Sequence, residues 1–270
     1  MSATDKAFVG SIPEIYDTYL VPLIFEPYAK DLAQRVSATK PKQVLETAAG
    51  SGVVPRALAP LLATDARYVV TDLNQPMLDR AAPRQPKDAR IVWQQADALK
   101  LPFEDHTFDV VCCQFGAMFF PDRVAGYREA RRVLKPGGRL LFNVWDRIED
   151  NDFSKLVTEA AAEIFPKDPP LFLKRTPHGY HDKKQIEADV RAAGFASVEI
   201  ETLAKEGHAP SPRHPSIGFA QGCPLRMEIE ARDASKLDAV TDLGTEMIAR
   251  KYGRGAITGK IQAIVVEARS

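Results

Sequence analysis

Residues 42–52 read KQVLETAAGSG. The strand formers Val44 and Leu45 lead directly into small residues and two glycines, Gly50 and Gly52, before a helical pattern begins near Val53. A glycine turn between a buried strand and a helix lets a ligand reach the main chain where a side chain would block it. Pro55 suits the first helical turn, where an amide hydrogen has no partner in any case. Outward from this turn, residues 42–145 alternate short β-rich runs with helical patterns, which predicts a parallel sheet covered by helices on both faces. Strands are expected at 43–46, 67–71, 90–94, 108–113 and 138–144, rich in Val, Ile and Phe as doubly covered strands require. Val124, Tyr127, Ala130, Val133 and Leu134 form one apolar helical stripe, stopped by Pro136, Gly137 and Gly138.

The flanks read differently. Residues 15–36 are expected as a helix interrupted at Pro22 and Pro27, carrying Tyr16, Tyr19, Phe25 and Tyr28 as core or lid rings. Beyond the sheet come a helix at 153–164, a proline-rich loop at 167–177, a helix at 183–193 ended by Gly194 and a strand at 196–203. A mainly helical insertion at 212–252 and a last strand at 261–268 complete a single-domain reading of residues 1–270. In that reading 1–41 form a helical cap, 42–146 a ligand-binding core, and 147–270 a half with lid insertions at about 165–182 and 212–252.

Composition excludes several functions. The 270 residues carry 36 Lys and Arg against 36 Asp and Glu, so the basic field that nucleic acid requires is missing and no nucleic-acid partner is expected. The apolar runs are too short to span a bilayer, and the MSATDKAFVG start lacks a secretory pattern, so a cytoplasmic address is expected. Three cysteines, two of them adjacent at Cys112 and Cys113, make no disulfide framework and no zinc spacing; they read as reduced core thiols, and no metal is expected.

Two acidic residues accompany the glycine turn. Asp72 ends the second strand in YVVTDLN (68–74), where a carboxylate can accept hydrogen bonds from both hydroxyls of a ribose. Asp97, in WQQADALKLPF (93–103), falls at the same carboxyl edge of the sheet. FEDHTFDVVCCQFG (103–116) and REARRVLKPGGRLLF (128–142) then supply the fourth and fifth strands with their joining helix.

In these five elements, over about residues 43–145, the chain resembles the class I S-adenosylmethionine-dependent methyltransferases, particularly the group containing the ubiquinone and menaquinone C-methyltransferases. The resemblance implies a Rossmann-like, doubly wound α/β fold, with a seven-stranded, mainly parallel sheet, an antiparallel last strand and helical lid elements. It also implies S-adenosyl-L-methionine as cofactor and methyl transfer to a small molecule by in-line displacement. By the same analogy Glu46, Thr47, Ala48, Ala49, Gly50 and Gly52 meet the methionine part largely through backbone, and Asp72 holds the ribose. Leu73 and Met77 pack near adenine, Asp97 with Ala96 and Ala98 reads its amino edge, and Gln114 and Phe115 lie beside the sulfonium. Two departures stand out. Ala48 takes a position where the family more often has glycine, and Gln114–Phe115–Gly116–Ala117 replaces the Asn/Asp-Pro-Pro-aromatic tetrad of exocyclic-amine methyltransferases, which disfavours base N-methylation.

A sulfonium methyl is already electrophilic, so holding the acceptor in line and excluding water suffices, and no catalytic residue is assigned. Phe115, Phe119, Phe120, Tyr16 and Tyr19 are core rings or pocket walls. His178 and His181 read as surface residues or as a general base, and His106 as a solvated turn residue. Arg128, Arg131, Arg132 and Lys135 read as a solvated helix face, and KDPPLFLKRTP (167–177) as a loop. A nicotinamide-dependent oxidoreductase would share the glycine turn and the acid, but Pro55 stands where its third glycine belongs; a non-catalytic binding module is the other alternative.

Overall fold

Short runs of β-branched and aromatic residues form the strands expected from the alternating pattern. The computed structural model describes residues 11–270, so the first ten residues of the expected cap lie outside the described residues. Among the described residues there are seven strands: β1 (Gln43–Glu46), β2 (Arg67–Asp72), β3 (Ile91–Gln95), β4 (Phe108–Gln114), β5 (Leu134–Trp145), β6 (Ser197–Ala209) and β7 (Ile257–Arg269). They lie in one sheet in the order β3-β2-β1-β4-β5-β7-β6. The four pairs from β3 to β5 are all parallel. The last strand runs the other way: at the start of β5 the Gly138 carbonyl accepts from Ser270 N–H just past the end of β7, and Arg139 pairs with Glu267. The reversal between β1 and β4 brings the carboxyl ends of β1, β2 and β4 to one rim.

The helices are α1 (Ile12–Ile15), α2 (Glu26–Ala38), α3 (Val53–Leu58), α4 (Gln75–Ala81), α5 (Arg123–Val133), α6 (Asp152–Ile164), α7 (Phe172–Arg175), α8 (Lys183–Ala192), α9 (Arg213–Gln221), α10 (Leu225–Asp233) and α11 (Leu237–Tyr252). They and the sheet group into two compact units. In the first, formed by residues 28–144, 181–203 and 264–270, Val44, Tyr68, Val70, Val110, Cys112 and Leu141 bury one sheet face against Ala29, Leu32, Ala33 and Val36 of α2 and Val54 and Leu58 of α3. On α5, Tyr127 stacks on Phe142 of β5 with centroids 5.0 Å apart. In the second, formed by residues 11–27, 145–180 and 204–263, α11 packs on α6 and α9.

Several expectations need correction. The leading helix is not broken at Pro22: Tyr16–Phe25 takes a wider π-helical winding that joins α1 to α2. A wider turn absorbs a residue that has no N–H to give to the preceding turn. Helix α5 ends at Val133, and Leu134 already pairs with Phe108 as the start of β5, so its side chain belongs to the strand. Strands β6 and β7 are both longer than their apolar runs, since hydrogen bonding between neighbours extends a strand past its buried residues. The 167–177 loop contains α7, with Phe172 and Leu173 buried and Glu228 accepting from Leu171 N–H, Phe172 N–H and Arg175. The basic face of α5 is a brace as well as a solvated surface: Arg132 pairs with Glu129 and Asp105 and donates to the carbonyls of Leu101 and Phe103.

Candidate functional site

The glycine turn is fixed by main-chain bonds from both neighbouring strands. Thr47 N–H donates to the Cys112 carbonyl of β4 at 3.0 Å, and Ala49 N–H to the Thr71 carbonyl of β2 at 2.9 Å. Gly52, at φ 78°, precedes α3, and its left-handed backbone is one that glycine adopts without strain. An ideal Cβ at Gly50 would meet nothing within 4 Å, so the main chain there faces open space.

Ala48 is the strained member of the turn. Its φ of 54° puts a methyl-bearing residue in the left-handed region, at a cost of about 1–2 kcal/mol. The methyl is accommodated because residue 116 is glycine: a Cβ built there would lie 2.5 Å from the Ala48 Cβ and 2.8 Å from the Cys113 Sγ. Gly116→Ala is therefore expected to lower stability by about 1–3 kcal/mol, and Ala48→Gly to recover part of that loss. Urea unfolding of both single variants and the double variant checks this coupling; additive effects would mean the two residues do not touch.

Asp72 closes the turn from the β2 side. One carboxylate oxygen accepts Gly50 N–H at 2.8 Å, and the other accepts Asn74 N–H at 2.8 Å. Burial pushes its pKa up, and the Asn74 and Gly50 amides oppose that shift. Its carbonyl accepts Ala96 N–H at 3.0 Å, which ties the ends of β2 and β3 together. Leu73, next in the chain, is 44% exposed, whereas Met77 is buried in α4. Asp97 is exposed, its carboxylate accepting Leu99 N–H of its own turn at 2.9 Å. Ala98 lines a small, mainly apolar cavity with Thr47, Cys113 and Phe120.

Glu46 is 1% exposed and Tyr68 is fully buried; the Tyr68 hydroxyl donates to the Glu46 carboxyl. Burial lifts the carboxyl to about 8, the Tyr68 hydrogen bond and the Arg56 charge lower it, and the Asp72 charge adds to the rise. At the end of β4, Phe115 holds φ 51° because its N–H is shared between the Asn143 carbonyl and the Asn143 Oδ1. Its ring meets Tyr28 edge-on at 5.3 Å.

Sequence reasoning missed Tyr68, Asn143 and Gly116, each of which acts on a named site residue through a contact distant in sequence. Asn74 was missed as well, although Asp-x-Asn spacing suits a turn in which the aspartate accepts the following amides, as it does here. His178 was expected at the surface but is 5% exposed: its Nδ1 lies 2.7 Å from the Asp146 carbonyl, and its ring packs beside Trp145. A carbonyl only accepts, so Nδ1 carries a proton. His106 remains exposed, with Nδ1 against the Leu134 carbonyl. All three cysteines are free and buried, and among the described residues no His, Cys, Asp or Glu group gathers as a metal site.

An open main chain at Gly50, a buried carboxylate with lone pairs left over and a half-exposed leucine beside it fit a nucleoside. Comparisons with known proteins agree in kind. Residues 45–142 match a methyltransferase domain model. A demethylmenaquinone methyltransferase of Clavibacter sepedonicus is 30% identical over 194 residues, covering 64% of this chain and 76% of the relative. One of Corynebacterium kroppenstedtii is 30% identical over 199 residues, covering 70% and 83%. In fold, the chain is similar to phosphoethanolamine N-methyltransferase 2 of Haemonchus contortus, with TM-score 0.64, 17% identity, and coverage of 100% of this chain and 61% of that one.

Proposed function

The chain belongs to the class I S-adenosylmethionine-dependent methyltransferases, and from that premise we propose how its residues divide the work. The reaction is methyl transfer to a small molecule, with S-adenosylmethionine as cofactor. When bound, the cofactor supplies a methyl group made electrophilic by its sulfonium. Asp72, which accepts Gly50 N–H, Asn74 N–H and, at 3.4 Å, the Asn74 side-chain amide, presents the rest of its carboxylate to the ribose, the long Asn74 Nδ2 contact being the one a ribose hydroxyl would displace; this is the observation that carries the assignment. Gly50 and its neighbours from Glu46 to Gly52 receive the methionine part on open main chain, supported by the empty space over Gly50. Exposed Leu73 covers adenine, with Met77 behind it and Ala96, Asp97 and Ala98 along its polar edge. Gln114 and Phe115 flank the sulfonium, the latter held by Asn143.

Acceptor choice is given in the same reading to the segments expected as a lid, residues 165–182 and 212–252. No helix among the described residues is long and apolar enough to cross a membrane. The cytoplasmic address proposed for the chain draws on its three free, buried thiols.

Calorimetric titration with S-adenosylmethionine, S-adenosylhomocysteine and NAD tests the cofactor site. Binding of the two sulfur nucleosides at micromolar Kd and none of NAD is the expected result; NAD binding alone overturns it. Mass-spectrometric methyl incorporation across quinols, phenols, amines and fatty acids then identifies the acceptor atom. The demethylmenaquinone methyltransferases among the relatives make a quinol the first to try.

A further inference from the structure

The Glu46–Tyr68 pair is more than packing requires. In the β1/β2 register Tyr68 lies opposite Val44, two residues before Glu46 on the same strand face, so the tyrosine ring must run along the sheet toward the rim for its hydroxyl to meet the carboxyl. A phenylalanine would fill that core equally well; only the hydroxyl is specific. A glutamine would likewise avoid burying an acid. The other groups acting on Glu46 are the Asp72 carboxylate at the end of β2, Arg56 on α3, and the Cys112 and Cys113 thiols of β4. Both thiols are pushed up by burial, Cys113 to about 11, and stay neutral around pH 7. Arg56 also donates to the Ser51 carbonyl of the glycine turn at 2.9 Å.

We propose that Tyr68 is a positioning residue of the cofactor site: its hydroxyl holds the Glu46 carboxyl behind the glycine turn, ready to release its proton to solvent as the cationic methionine end of S-adenosylmethionine docks. The proposal rests on the cofactor assignment above. Tyr68 touches no reacting atom; it favours the carboxylate by donating to it, so the acid ionises when a cation approaches rather than staying neutral. Binding is then linked to proton release, and the link depends on a side chain from the neighbouring strand.

Calorimetry from pH 6 to 9, in buffers of different ionisation enthalpy, counts the protons. With S-adenosylmethionine the wild type is expected to release close to one proton at pH 7, its affinity rising about tenfold per pH unit below a break near 8 and levelling above once the loss of the ligand's own α-ammonium proton, common to all variants, is divided out. Glu46→Gln is expected to bind weakly, with no release and no break. Tyr68→Phe is expected to move the break upward by about one pH unit, binding about tenfold more weakly at pH 7 and converging on wild type at high pH. Superposable Tyr68→Phe and wild-type profiles would overturn the positioning role, as would binding without proton release. No binding by wild type at any pH would instead overturn the cofactor assignment. Circular dichroism checks that Tyr68→Phe is folded. Should it not be, the Tyr68 hydroxyl resonance of the wild type decides: it must shift with the same pH midpoint as the Glu46 carboxyl, and an independent response overturns the proposal.

Discussion

Asp72→Ala is expected to weaken S-adenosylmethionine binding by about 10²- to 10⁴-fold. The magnitude follows from two ribose hydrogen bonds to a charged acceptor, each contributing about 1.5–3 kcal/mol, with 1.4 kcal/mol per factor of ten. The structure adds a second consequence. The same carboxylate accepts Gly50 N–H and Asn74 N–H, so alanine also releases the turn proposed to receive the methionine end. Asp72→Asn separates the effects, because one amide oxygen can still accept a turn N–H while the charge is gone. Calorimetry should place Asn between wild type and Ala, and urea unfolding should show Ala less stable than both. An unchanged Kd in Asp72→Ala would reduce this residue to a turn former.

Glu46→Gln is expected to stabilise the ligand-free protein increasingly as pH rises. The Glu46 carboxyl titrates at about 8 in the fold against 4.5 in an ordinary setting, with burial the largest cause. Below 4.5 both states hold the proton. Between 4.5 and 8 the unfolded chain ionises first, so the folded state loses about 1.4 kcal/mol per pH unit, levelling off above 8. A glutamine has no proton to lose, so the difference between variant and wild type should grow to the order of 4 kcal/mol by pH 8. Urea unfolding at pH 5, 6.5 and 8 measures this. A difference that stays constant across the three would mean the acid is not held neutral by burial.

Much of the parallel sheet and its glycine turn was legible because the signals are local. A glycine pair after a strand, an acid ending the next strand and a stripe at helical spacing each need only a few consecutive residues to be recognised, and β1 to β5, α3 and α5 follow from them. The leading helix was misjudged because proline penalises an α-turn, yet the chain had a π-turn available. His178 was misjudged because loop residues are exposed by default, and nothing in a sequence shows that Trp145 will cover one.

The amino-acid sequence by itself determined the alternating order of helix and strand, the glycine turn with its two acids and the balance of 36 basic against 36 acidic residues. Those properties reside in residue type and short spacing. Only the tertiary structure decided that the left-handed Ala48 is tolerated by Gly116, that Asn143 holds Phe115, and that Tyr68 reaches Glu46. Each of these is a contact between strands or turns far apart in the chain, and the proton affinity of Glu46 depends on the low-dielectric interior that such contacts enclose.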